Sequence, residues 1–235
     1  MPSLPRDIGQ VVICCRVPDH TTEADAARWQ GEASTRGVAV TWAISAGDLP
    51  VWLASSGAGR SLAVRIGDEA GSGRIARSEI RQALRNNYGR VSAAVIDGDR
   101  EIDHRGLLIE SGIEVVAAPH LHAVDRPSRR PPPAGWECRC QVWGLWEAGF
   151  TAPRRRLFGL VEDNRPRRDG LTLLETGCRR GDRPDAGLAR LRHTLALVQN
   201  SLRNHAVGNC LLSDVPTLLQ GGQPSADRGS ILAAA

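Results

Sequence analysis

Apolar, strand-like runs recur along this chain at a nearly constant beat, and that beat restricts the fold more than any other feature. The runs are VVICCR at 11–16, VAVTWAI at 38–44, SLAVRI at 61–66, VSAAVID at 91–97 and IEVVAA at 113–118, with successive starts 22 to 30 residues apart. That spacing fits a strand, a crossover helix and two short connections. The intervening segments read as helices. Residues 22–36 open with Thr22, have Asp25 three positions on and stop at Gly37, which suits an N-cap pairing and a glycine C-terminus. Residues 76–88 place Ile80, Leu84 and Tyr88 on one face and end at Gly89, and 103–111 make a short helix before Gly112. Strands that are apolar on both faces and alternate with helices predict a parallel sheet in an α/β fold. Right-handed crossovers then build a distorted (β/α) barrel or, alternatively, an open doubly wound parallel sheet.

The beat breaks at 119–135, PHLHAVDRPSRRPPPAG, whose proline density is compatible only with a loop. CRCQVWGLWEAGF reads as extended, and LTLLET as a late strand. Residues 185–205 carry Leu188, Leu191, Leu195, Val198 and Leu202 on one stripe and form the clearest amphipathic helix. CLLSDVPTLLQ is a short final segment. A single domain over 1–220 with a Pro/Arg-rich loop at 119–135, followed by a frayed tail at 221–235, suits a chain of 235 residues.

Composition narrows the setting. The N-terminus has no apolar core of a signal peptide, and no run approaches the ~18 apolar residues of a membrane span. The expected location is cytoplasmic, with no membrane partner. All 30 basic residues are arginine and the net charge is only +4, which a GC-rich coding sequence explains without a phosphate-binding demand. Six cysteines in a chain of this length do not form a disulfide framework. Cys14 and Cys15 are adjacent in a strand and should face opposite sides of the sheet.

The order of several segments resembles the polysaccharide deacetylase (NodB-homology) family. GVAVTWAISAGDLPVWL is similar to that family's second strand, RGLLIESGIEVVAA to a later helix and strand, GLWEAGF to a run approaching the barrel mouth, and LTLLET with the 185–205 helix to its closing pair. The resemblance implies a deacetylase-like barrel of about seven strands that acts on acetylated sugars with a divalent metal, its chemistry at the C-terminal strand ends. The family's ligand residues are missing. Where it places two aspartates after strand one, this chain has Cys15, Arg16 and Val17, with Asp19 and His20 further on. After strand three, Asp68 and Glu69 stand where a histidine pair belongs, and Glu175 stands near the closing histidine position. A hydrolytic metal needs about three protein ligands, and Arg16 would oppose one. The expectation is a scaffold without metal-dependent hydrolysis, whose mouth binds a sugar or small ligand. Any remaining acid–base chemistry falls to Asp19, His20, Asp68, Glu69 or Glu175. Arg16, Trp143 and Trp146 are the candidate ligand contacts, tryptophan serving as a sugar platform.

Three further patterns define the competing readings. His120 and His122 with Cys138 and Cys140 form a chemically sensible zinc set, although single-residue spacings are tighter than usual. GSGRIA at 71–76, with Asp97 as ribose acid, weakly matches a dinucleotide fingerprint and supports a nucleotide-binding enzyme as the third reading. Residues 126–192 hold 15 Arg against 8 acidic residues, a surplus the remainder reverses, so a non-enzymatic polyanion-binding module is the alternative. Few aromatics interleave there, which argues against nucleic acid. His193, on the long helix, reads as structural, and Cys178 as a surface thiol beside arginines.

Overall fold

In the computed structural model, residues 9–56, 59–67, 72–87, 89–118, 138–140, 144–151, 154–155, 162–163, 166–168, 170–179, 181–204 and 207–220 are described. The first half alternates strand and helix: β1 Gly9–Arg16, α1 Glu23–Arg36, β2 Thr41–Ile44, α2 Leu49–Ser56, β3 Leu62–Ile66, β4 Ser72–Arg74, α3 Arg77–Leu84, β5 Ala93–Ile96, β6 Asp99–Glu101, α4 Arg105–Glu110 and β7 Val115–Ala118. The short strands β4 and β6 and the helix α2 add to the expected runs. The second half holds β8 Cys138–Cys140, β9 Trp146–Gly149, β10 Arg154–Arg155, β11 Glu162–Asp163, β12 Leu171–Gly177, α5 Pro184–Arg203, β13 Val207–Cys210 and α6 Val215–Leu219. The proline-rich stretch 119–135 and the tail 221–235 lie outside the described residues.

Eight strands form one curled half-barrel in the order β12-β1-β2-β3-β5-β7-β9-β8, all parallel except the β8–β9 pair. From β1 to β9 the parallel strands advance in one direction, and β12 returns beside β1. An open doubly wound sheet would reverse its strand order at a switch point and carry helices on both faces. Here α1 to α5 all pack into one outer core, so that alternative is corrected. The two ends of the sheet approach each other beyond β9. The Thr151 N–H donates to the Leu173 carbonyl at 2.9 Å, and the Leu173 N–H to Thr151 Oγ1 at 3.0 Å.

Period-two alternation divides the side chains between two cores. Val11, Ile13 and Cys15 face the helices, while Val12 and Cys14 face inward, as expected for adjacent strand cysteines. The inner face is lined with small residues, among them Ala43, Ala63, Ala93, Ala117 and Ala148. The room they leave is filled by the C-terminal segment, which buries Leu212 and Val215 there. At the N-terminal end of the sheet, β13 pairs with Gly9–Val12 of β1, while β2 pairs only with Cys14–Arg16. Asn209 fills the resulting split, donating to the Val11 and Ala39 carbonyls at 3.0 and 3.2 Å. That capture explains why the 38–44 run becomes strand only from Thr41. One end of the barrel is therefore plugged and the other stays open.

Local signals set the helix ends. The Asp25 N–H donates to Thr22 Oγ1 at 3.2 Å, the Thr22 N–H returns to Asp25 Oδ2 at 3.3 Å, and Gly37 closes α1 at φ 65°. The Thr22 hydroxyl beside Asp25 holds its carboxyl below the usual range. Thr22→Ala is expected to lower the unfolding free energy by about 1 kcal/mol, read by urea denaturation. A loss indistinguishable from zero would mean that the capping box contributes nothing.

On the outer side of β9, buried Glu147 accepts from Arg105 Nε at 2.5 Å and Arg139 Nε at 2.6 Å. Burial pushes its carboxyl up, but the two guanidinium groups outweigh burial and hold it below the ordinary 4.5. Because the folded-state pKa is depressed, this contribution to stability is complete above the unfolded value and disappears as pH falls through the folded one. Glu147→Gln should therefore destabilise the chain at neutral pH and flatten its stability loss on acidification. Parallel curves for variant and wild type in pH-resolved denaturation would contradict this. Among the described residues no helix is long and apolar enough to cross a membrane.

Candidate functional site

The inward positions at the C-terminal ends of β1, β3 and β12, together with the residue following β5, are charged: Arg16, Arg65, Glu175 and Asp97. Each ends or interrupts an apolar strand run, and alternation points it into the barrel next to its inward neighbours Cys14, Ala63, Leu173 and Val95. Asp97 is buried between the two arginines. Its Oδ1 lies 3.2 Å from Arg16 Nε and its Oδ2 3.0 Å from Arg65 Nε. Arg65 Nη2 reaches Asp19 Oδ1 at 2.5 Å, and Arg65 Nη1 donates to the Val17 carbonyl at 3.2 Å. Arg16 Nη2 meets Glu175 Oε1. The side chains of Arg16 and Asp97 are 8% and 6% exposed, against 54% for Asp19 and 37% for Glu175. The network thus has a buried centre and a wet rim.

A cavity of about 570 Å³ opens over this network, lined by Arg16, Asp19, Arg65, Asp97, Cys178 and Arg179 among others. An adjoining one of about 400 Å³ shares Arg16, Cys178 and Arg179 and adds Glu175, Arg190 and His193. Pro184, the first residue of α5, borders the first cavity, with Asp182 just before the helix. Asp182 is itself paired with Arg190, whose Nε donates to the Gly177 carbonyl at 2.9 Å.

The loop after β1 is shaped by a residue that sequence reading missed. Buried Asp48 accepts from the His20 N–H at 3.0 Å, the Thr21 N–H at 3.1 Å and the Ser45 hydroxyl at 2.7 Å. His20 sits at φ 61°, a left-handed conformation that a non-glycine residue holds only when its surroundings fix it. Asp48 provides that fixing, and it presents Asp19 to Arg65. His20 is exposed, and it does not line either of these cavities.

The predicted site residues divide clearly. Arg16, Asp19 and Glu175 come together at the mouth. Asp68, Glu69, Trp143, His120 and His122 lie outside the described residues. Trp146 is a correction: it is 2% exposed, in the inner core at the N-terminal end of β9, and offers no face to a ligand. Cys138 and Cys140 lie two apart on the edge strand β8, pairing with Ala148 and Trp146. Cys138 is buried in the inner core, with burial and Cys140 pushing its thiol up to about 12. Cys178 is also corrected, from surface thiol to buried residue, with burial raising its pKa against the opposing charge of Arg190. His193 lines the second cavity instead of being purely structural. In the dinucleotide pattern, Ser72–Arg74 forms β4, pairs with β6 and leads into α3 at Arg77, while Asp97 is committed to two arginines. That reading loses its ribose acid.

The metal implied by the family resemblance does not fit the described mouth. Asp97 and Asp19 point their oxygens at guanidinium groups, which compete with a cation for them. Among the described residues no group of three or more His, Cys, Asp or Glu could hold a metal ion.

Fold and site together define a predominantly parallel, singly wound α/β half-barrel with an arginine–carboxylate network at its open end. Comparison of the chain with family models, curated proteins and solved structures gives no match.

Proposed function

We propose that this chain is a deacetylase-like, carbohydrate-related α/β barrel protein whose mouth binds a sugar or another small ligand, without metal-dependent hydrolysis. One observation carries the reading: a cavity of about 570 Å³ stands over the C-terminal strand ends, and its floor is built from Arg16, Arg65 and Asp97. The volume falls within the roughly 300–1,000 Å³ of small-molecule sites. Its position, where strands of an α/β barrel deliver their polar residues, is the usual one for ligand chemistry. Arginine hydrogen-bonds in a fixed planar fork, which suits oriented recognition of polar oxygens. The same arginines occupy the carboxylates that a hydrolytic metal would need.

The test is acetate release from N-acetylated sugar oligomers with added zinc or cobalt, run beside a thermal-shift titration. The expected result is a raised Tm with the oligomer and no release above a protein-free control. Brisk, metal-dependent release would overturn the reading.

A further inference from the structure

The mouth holds two anions that behave as stand-ins. Arg16 and Arg65 turn one edge toward the same buried carboxylate, Asp97, which orients both guanidinium groups. Other edges meet carboxylates of a different kind. Glu175 and Asp19 sit on the rim, and each is substantially solvated while it contacts its arginine. An ion pair with one solvated partner is weakened, because water competes for that partner's charge and the side chain loses freedom in forming it. Buried Arg16 and half-buried Arg65 are therefore aimed, and their rim partners are replaceable. Arg179 lines both cavities and adds positive charge beside them.

We propose that the ligand of this mouth carries a carboxylate, which displaces Asp19 or Glu175 and is held by Arg65 and Arg16. Given that the mouth binds a sugar, the ligand class is a hexuronate or a similarly carboxylated sugar. The inference rests on the reading of the mouth given above. Two observations favour a carboxylate over other anions. The places to be taken are occupied by carboxylates already, and a planar carboxylate matches the guanidinium fork edge to edge. Displacement also frees a rim carboxylate into water, where it costs nothing to solvate.

The proposal has an unusual sign. Removing an acidic residue that lines the site should tighten binding, because it removes an internal competitor. The experiment is calorimetric titration of the full chain with D-glucuronate and with D-glucose at low ionic strength. Glucuronate should bind and glucose should not. Of Asp19→Asn and Glu175→Gln, both at solvated positions, the one that removes the displaced carboxylate should tighten glucuronate about fivefold, the coupling of a half-exposed pair. Arg65→Gln should abolish binding, and added salt should weaken it.

Weaker glucuronate binding in Asp19→Asn and Glu175→Gln would overturn the proposal, since both carboxylates would then be contacts for sugar hydroxyls. Glucose binding as tightly as glucuronate would overturn it too, leaving the mouth as a neutral-sugar site. Preference for glucose 6-phosphate over glucuronate would overturn the carboxylate assignment. Failure of all of these sugars, together with acetylated oligomers, would remove the mouth reading itself.

Discussion

Asp97→Ala lowers the unfolding free energy by about 3–5 kcal/mol in urea denaturation, the largest loss expected from any single change at the mouth. Asp97 follows the apolar run of β5, is buried, and neutralises Arg16 and Arg65 at once. Alanine leaves two guanidinium groups facing each other in a largely dry site. Glu175 and Asp19 remain, but their solvated carboxylates can offset only part of the repulsion. Asp97→Asn keeps the shape and some hydrogen bonding, and should fall between wild type and Ala. A loss below about 1 kcal/mol for Ala would show that the arginines relax into water and that the network is not a rigid floor.

Gly177→Ala should cost about 3 kcal/mol, from crowding added to a backbone conformation that alanine resists. Gly177 ends β12 at φ +96°, and a Cβ built there would lie 2.2 Å from the Arg16 carbonyl and 2.9 Å from Cys15 Sγ. Both obstacles belong to β1, so the sheet must open between β1 and β12. The Arg16–Glu175 contact spans that same junction. Gly37→Ala is the control. It has φ +65° but nothing within 4 Å of its Cβ, so it should cost only about 1 kcal/mol for conformation. Equal losses at the two positions would contradict the crowding argument.

The beat of the first five strands was legible because each is apolar on both faces, and a parallel sheet buries both. The α1 boundaries were legible because Thr22, Asp25 and Gly37 act locally. What escaped sequence reading depends on contacts made far along the chain. Thr41 begins β2 only because Asn209, over 160 residues away, holds Ala39. Trp146 reads as a platform beside Trp143, yet register places it inside the barrel, where small alanines leave space. The family resemblance, applied to the strand ends, is what placed Arg16, Asp19 and Glu175 at the mouth. Arg65 and Asp97 carried a signal of their own, a charge inside or just after a buried apolar run, which in a folded core demands a partner. Asp48 carried no comparable signal, since an aspartate in SAGDLP reads as an ordinary turn residue.

Amide chemical-shift mapping shows whether the arginine-floored mouth is where this chain meets its ligand. The full chain would be titrated with acetylated and uronate sugars. Shifts are expected to concentrate on Arg16–Thr21, Arg65, Gly67, Asp97 and Cys178–Arg179. Shifts confined to the part of the arginine-rich 126–192 region that precedes β12, or to the proline-rich segment alone, would contradict this and put the ligand on a different surface.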